Sequence, residues 1–202
     1  MSTYSRRGFL ALSVAAAATP VCSAWAQDQS DDPYQLPPRN TKNVPPEFLR
    51  KVVAYPTRQF PGSIVIDTSA RHLFLVLQGG SAIRYGIAVG RDGFRWAGMA
   101  DVARKVMWPK WTPPKDMIER KPELVKWANG MPGGPENPLG GRALYLYRDG
   151  RDTMFRIHGT NEPSSIGKKA SSGCIRMFNE DVIDIYRRTP VGSRVLVYSE
   201  GL

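Results

Sequence analysis

The sequence predicts a mainly β protein, a sandwich or barrel with a few short helices at its periphery. Two observations point there. Segments 63–68, 72–77 and 81–89 are short, rich in β-branched and aliphatic residues, and punctuated by the turn-forming Gly79-Gly80 and Gly90. Helical patterning is confined to two brief stretches, 116–128 and the run that starts at Asn179. At 202 residues the length suits one domain with a full hydrophobic core plus peripheral segments, so no second domain is needed.

Taken in order, residues 1–26 read as an export signal. Ser5-Arg6-Arg7-Gly8-Phe9-Leu10 is a twin-arginine motif, an apolar run extends to Ala18, and Ala24-Trp25-Ala26 is a cleavage site. The run is too short to span a bilayer, and a lipoprotein reading of Cys22 lacks the usual small residue just before the cysteine. The expected product begins at Gln27, is soluble and periplasmic, and has no stable membrane anchor. Its formal charge falls from +10 to +8, because Arg6 and Arg7 leave with no acidic residue. A basic balance would suit nucleic acid, but no recognition motif for it appears, and most of the lysines and arginines read as solvated surface. An exported basic protein meets an anionic cell wall instead.

Residues 27–61 start acidic and turn proline-rich, which predicts an extended segment that packs on the domain near 48–55. The domain proper is expected over 62–199. His72 opens a strand beside Arg71, a place for a half-exposed side chain. Segment 91–114 is dense in tryptophan and basic residues. Trp96 reads as core packing, while Trp108 and Trp111 are candidate walls of a binding groove. Over 116–128 the pattern is a broken helix, restarted by Pro122 and ended by Asn129-Gly130. Residues 131–142 form a Gly/Pro-rich loop, and strands 143–147 and 154–158 flank an Asp149-Gly150 turn. Asn179 reads as a helix N-cap, with Glu180 and Asp181 in the first turn, Arg187 and Arg188 in the last, and Val182, Ile185 and Tyr186 facing the core. Residues 194–198 close the sheet.

The chemistry concentrates between 154 and 178. His158 ends an apolar-alternating run, and Cys174 is the single cysteine left once Cys22 departs with the signal, so no internal disulfide can form. A free thiol is only slightly ionised at neutral pH, and an imidazole or backbone dipoles must activate it. His158 supplies the first. Gly173 lets the backbone turn so that the amides of Gly173 and Cys174 face a developing oxyanion. The competing reading is a buried structural thiol beside a loop histidine. Two histidines and one cysteine are too few for a dedicated zinc site, and no phosphate-cradling glycine loop appears, so neither metal nor cofactor is expected.

His158-Gly159-Thr160, followed by Ser171-Ser172-Gly173-Cys174-Ile175-Arg176-Met177 with the histidine 16 positions before the cysteine, resembles the L,D-transpeptidase (YkuD-type) family. The similarity runs from about 63 to 197. It implies that family's β-sandwich or barrel, a Cys174 nucleophile, His158 as base, and the Gly159 carbonyl holding the imidazole tautomer. It also implies Arg176 near the substrate or bracing the loop, with Thr160, Ser171 and Ser172 on the substrate side beside Trp108 and Trp111. Many members carry a second histidine where this chain has Ser172. The implied activity is periplasmic transfer of a peptidoglycan tetrapeptide stem, through a cysteine thioester, to an acceptor amine. Water as acceptor would make a carboxypeptidase, a lysine of an outer-membrane protein would make an anchoring enzyme, and loss of turnover would leave a wall-binding module.

Overall fold

The computed structural model of the chain describes residues 32–36, 38–90, 97–171 and 173–198. The export signal read over 1–26, Trp96 and Ser172 lie outside the described residues. The strands are β1 (Lys51–Ala54), β2 (Ile64–Asp67), β3 (His72–Val76), β4 (Ser81–Gly86), β5 (Val89–Gly90), β6 (Gly98–Met107), β7 (Arg142–Arg148), β8 (Arg151–His158), β9 (Lys169–Ser171), β10 (Ile175–Arg176) and β11 (Arg194–Tyr198). The helices are α1 (Lys115–Arg120) and α2 (Asn179–Arg188), with single 3-10 segments at Pro46–Phe48, Pro122–Trp127 and Pro163–Ser165. The mainly β expectation is met, and the helix broken before Pro122 is present as read.

Nine strands form one sheet in the order β1-β4-β3-β2-β11-β6-β7-β8-β10, and β5 pairs with β9 separately. Neighbours are antiparallel except β2–β11 and β8–β10, which are parallel. The sheet curls. Ala88, two residues past β4, exchanges backbone hydrogen bonds of 2.9 and 3.0 Å with Arg176 of β10. Those strands stand seven places apart in the order, roughly 34 Å on a flat sheet at about 4.8 Å per strand, so only a curled sheet brings them together. The enclosed face carries Ile64, Ile66, Leu73, Leu75, Leu144, Leu146, Ile157, Ile175 and Val197, and α2 adds Val182 and Ile185. Full burial of each such side chain contributes about 1.5–3 kcal/mol.

Three features differ from the sequence reading. Within the tryptophan-rich segment 91–114, Gly98–Met107 form β6, a ten-residue strand between β11 and β7. Its alternation is broken by a register shift between Val102 and Arg104, which hides the period of two. Residues 51–54 of the proline-rich segment are likewise a strand, hydrogen-bonded to β4 along the sheet edge. Asn179 is not the N-cap. Phe178 occupies that position without a side-chain cap, and the Asn179 carboxamide is used elsewhere.

The same N-terminal segment neutralises α2. Asp181 and Asp184 are buried, 0% and 2% exposed. Arg39 grips both oxygens of Asp181 at 3.1 and 3.0 Å and lies over the Phe178 ring. Asp184 takes Arg188 at 2.8 Å, Arg50 at 3.3 Å and the Tyr85 hydroxyl at 2.6 Å. Val44 and Phe48 from this segment form a second apolar cluster with Ala88, Ile166 and Phe178.

Candidate active site

The hairpin β7–β8 turns at Asp149 and Gly150, whose φ values of +50° and +73° suit the tight turn between paired Arg148 and Arg151. It delivers His158 to the end of β8, opposite Ala143. β10 lies parallel along the other side of β8, with Ile175 beside Ile157 and Arg176 beside His158. Side chains alternate along a strand, so His158, Arg156 and Arg176 belong to one face, and Cys174 lies in the bend just before β10. Met177 N–H closes the ladder on the His158 carbonyl at 2.9 Å.

His158 is 4% exposed. Its Nδ1 lies 2.6 Å from the Gly159 carbonyl oxygen, which can only accept, so Nδ1 carries the proton and Nε2 offers a lone pair. Burial lowers the imidazole to about 4, against the Gly159 hydrogen bond, and the guanidiniums of Arg176 and Arg156 push the same way. The ring is therefore neutral at physiological pH. Burial also pushes the Cys174 thiol up, opposed by the Arg156 backbone N–H and the charges of Arg156 and Arg176. Its Sγ lies 3.9 Å from the Met154 carbonyl oxygen. Thiol and imidazole thus both rest uncharged at neutral pH. Gly173 has φ +133°, a conformation that any side chain would strain.

Arg176 donates to Glu162 at 2.9 Å, bracing the segment between base and thiol while remaining on the His158 face. Thr160 is buried, and its Oγ1 accepts the Glu162 N–H at 3.0 Å. Ser171 pairs with Gly90 where β9 meets β5. Trp108, at φ +46°, is buried beneath loop 131–141 and edge-on to Tyr34, with ring centroids 4.9 Å apart. Trp111 pairs its backbone with Met131, so the two tryptophans hold this loop. Sequence reasoning overlooked Arg156, which is bidentate to Asp152 at 2.7 and 2.8 Å and lies 4.3 Å over the Tyr145 ring. Counting back by two from His158 along the strand finds it. Among the described residues no group of three or more His, Cys, Asp or Glu could hold a metal ion.

The family described as the L,D-transpeptidase catalytic domain, YkuD, matches residues 61–197. A chain of Fuscovulum blasticum, named for L,D-transpeptidase and the ATP synthase subunits region, is 35% identical over 136 residues, 66% of this chain and 68% of that one. The "Probable L,D-transpeptidase YbiS" of Escherichia coli strain K12 is 34% identical over 143 residues, 68% of this chain but 44% of its own length. A Brucella melitensis crystal structure, described as a probable carnitine operon oxidoreductase caia, is 48% identical with TM-score 0.53, covering 79% of this chain and 99% of that one. An Ldtfm–avibactam carbamoyl enzyme shares the fold at TM-score 0.52 and 17% identity, over 69% of this chain and 49% of its own.

Proposed function

Since this chain belongs to the L,D-transpeptidase catalytic-domain family, an enzyme family, we propose that it acts on peptidoglycan stem peptides by acyl transfer through Cys174. The observation that carries the proposal is the neutral His158, tied through Nδ1 to Gly159, with Cys174 in the bend that leads into the strand paired with it and both groups beside the Arg156 and Arg176 charges. In the proposed reaction Nε2 takes the Sγ proton as sulfur attacks the carbonyl of the L,D-amide between diaminopimelate and D-alanine. The amides of Gly173 and Cys174 face the oxyanion. The same proton passes to the departing D-alanine amine, leaving a thioester. An acceptor amine then attacks, His158 takes its proton, and the thiol is restored.

Twin-arginine export of 1–26 places this chemistry in the periplasm in the same proposal. Among the described residues no helix is long and apolar enough to cross a membrane. The description of the Brucella protein as an oxidoreductase belongs to that protein. The family match, with His158 and Cys174 both beside Arg156 and Arg176, supports acyl transfer.

Incubating the enzyme with a tetrapeptide stem and measuring intact mass tests this directly. The expected result is a Cys174 thioester with release of D-alanine, absent in Cys174→Ala. Dimers joined through two diaminopimelates identify a stem acceptor, adducts on lysine peptides identify protein anchoring, and tripeptide alone identifies the carboxypeptidase. No thioester and no product would leave the wall-binding module.

A further inference from the structure

The carboxamide of Asn179, at the start of α2, bridges the base loop and the Gly/Pro-rich loop, which Asn161 Nδ2 also joins by donating to the Glu136 carbonyl at 2.9 Å. Asn179 Oδ1 accepts the Gly141 N–H at 3.1 Å, and its Nδ2 donates to the Thr160 carbonyl at 2.9 Å. Both neighbouring glycines are shaped around it. A Cβ on Gly140 or on Gly159 would collide with Asn179 Oδ1, so the two backbones approach this amide as closely as only glycine permits. Gly159 is also the residue whose carbonyl holds His158 Nδ1, and its N–H donates to the Arg142 carbonyl at 3.1 Å. The Gly159 peptide is thus bracketed. β7 holds it on one side and Asn179 on the other.

We infer that Asn179 is a positioning residue for His158, fixing the Gly159 carbonyl so that Nδ1 keeps the proton and Nε2 faces the Cys174 side of the sheet. The inference rests on His158 and Cys174 being the reacting pair. Asn179 stands five residues beyond the thiol, after Met177 and Phe178, which are both buried. It therefore connects the segment that carries the nucleophile to the residue that orients the base. Loss of the amide frees the Thr160 carbonyl and the Gly141 N–H, and the Gly159 peptide can then rotate. The imidazole loses its single preferred tautomer, and a fraction of the molecules presents Nε2–H, which cannot accept a proton.

The test is the pH dependence of Cys174 alkylation by iodoacetamide on the full chain, with the modified peptide identified by mass spectrometry because Cys22 is the other thiol. Alkylation reads removal of the thiol proton whatever the acyl donor is, so failure of the stem-peptide reading leaves the test standing. Asn179→Ala is expected to slow Cys174 alkylation at neutral pH roughly 10- to 100-fold and to move the acid limb of the profile. Asn179→Asp keeps the acceptor for Gly141 but has no hydrogen to give Thr160. It is expected to move the limb upward, since its charge favours the imidazolium. Asn179→Gln should restore part of the rate only where it remakes both bonds. Circular dichroism verifies folding, and if Asn179→Ala does not fold, Asn179→Asp decides. A profile unchanged from the parent in either folded variant overturns the inference, even where the melting temperature has dropped.

Discussion

His72 and His158 invite comparison, because each lies at the end of a strand and each is held toward its neutral form by burial. Each also meets a backbone carbonyl. His72 uses Nε2, 3.0 Å from the Glu47 oxygen, with its ring beside Phe48 and Phe74. His158 uses Nδ1, bound to the carbonyl of the residue that follows it. The difference lies in which nitrogen is tied. Anchoring the outer nitrogen turns His72 into a fastener between β3 and the N-terminal segment. Anchoring the inner nitrogen leaves the outer one of His158 with a lone pair, beside the parallel strand that Cys174 leads into. Burial and a carbonyl partner alone do not make a base.

The sharpest way to break this comparison is to delete both rings in turn. His158→Ala should lower the acylation rate on the order of 10²–10⁴-fold, the usual worth of a positioned acid–base group. An equal loss in His72→Ala would refute the assignment. Next in size is the acid response. His158 has a folded value of about 4, below the ordinary 6.5, so the unfolded chain binds the extra proton between those values. The stability it contributes is present above pH 6.5 and lost as pH falls through 4, roughly 3 kcal/mol in all. Denaturant melts at pH 7.5 and 4 should show that loss, largely absent in His158→Gln, while the acid limb of kcat/KM lies well below 6.5.

Smaller effects sharpen the structural side. Arg39→Ala removes a bidentate partner from the buried Asp181 carboxylate and should destabilise the fold by about 1.5–3 kcal/mol. Burial already pushes Asp181 up and losing Arg39 pushes it further, so the variant's deficit should be largest at neutral pH and shrink as falling pH protonates the carboxyl. Thermal melts across pH would measure both. Smallest of all, His72→Ala should cost about 1 kcal/mol from its two ring contacts, with acylation per folded molecule changed less than about twofold.

The proposed pair, His158 and Cys174, stands out in the sequence because its signals are local: a histidine ending an alternating run, and a glycine beside a cysteine. The hairpin around Asp149-Gly150 was legible for the same reason. What stayed hidden depends on register. Arg156 joins the site only because β10 pairs with β8, and Asn179 looks like a cap until Gly140 and Gly159 are seen packed against it. β6 was obscured by its bulge. Besides Arg188 and Tyr85 on Asp184, Asp181 and Asp184 draw on Arg39 and Arg50, more than 130 residues away in a segment whose prolines suggested only a tether.

The parallel rung between Arg176 and His158 has a consequence for how such a site can diversify. His158 is held beside Arg176 by the lattice of the sheet, not by the fifteen residues that run from it to Cys174, 159–173. Within that excursion Asn161, Glu162, Ser164 and Lys168 are exposed, while Ile166 is seated against Phe48 and Phe178. Insertions and substitutions on the exposed tip can therefore remodel what approaches the thiol without resetting the rung that holds His158 beside Arg176. The tip is an exchangeable cassette on a fixed frame. Grafting foreign tips that retain Gly159, Thr160 and Ile166 should change acceptor preference more than thioester formation.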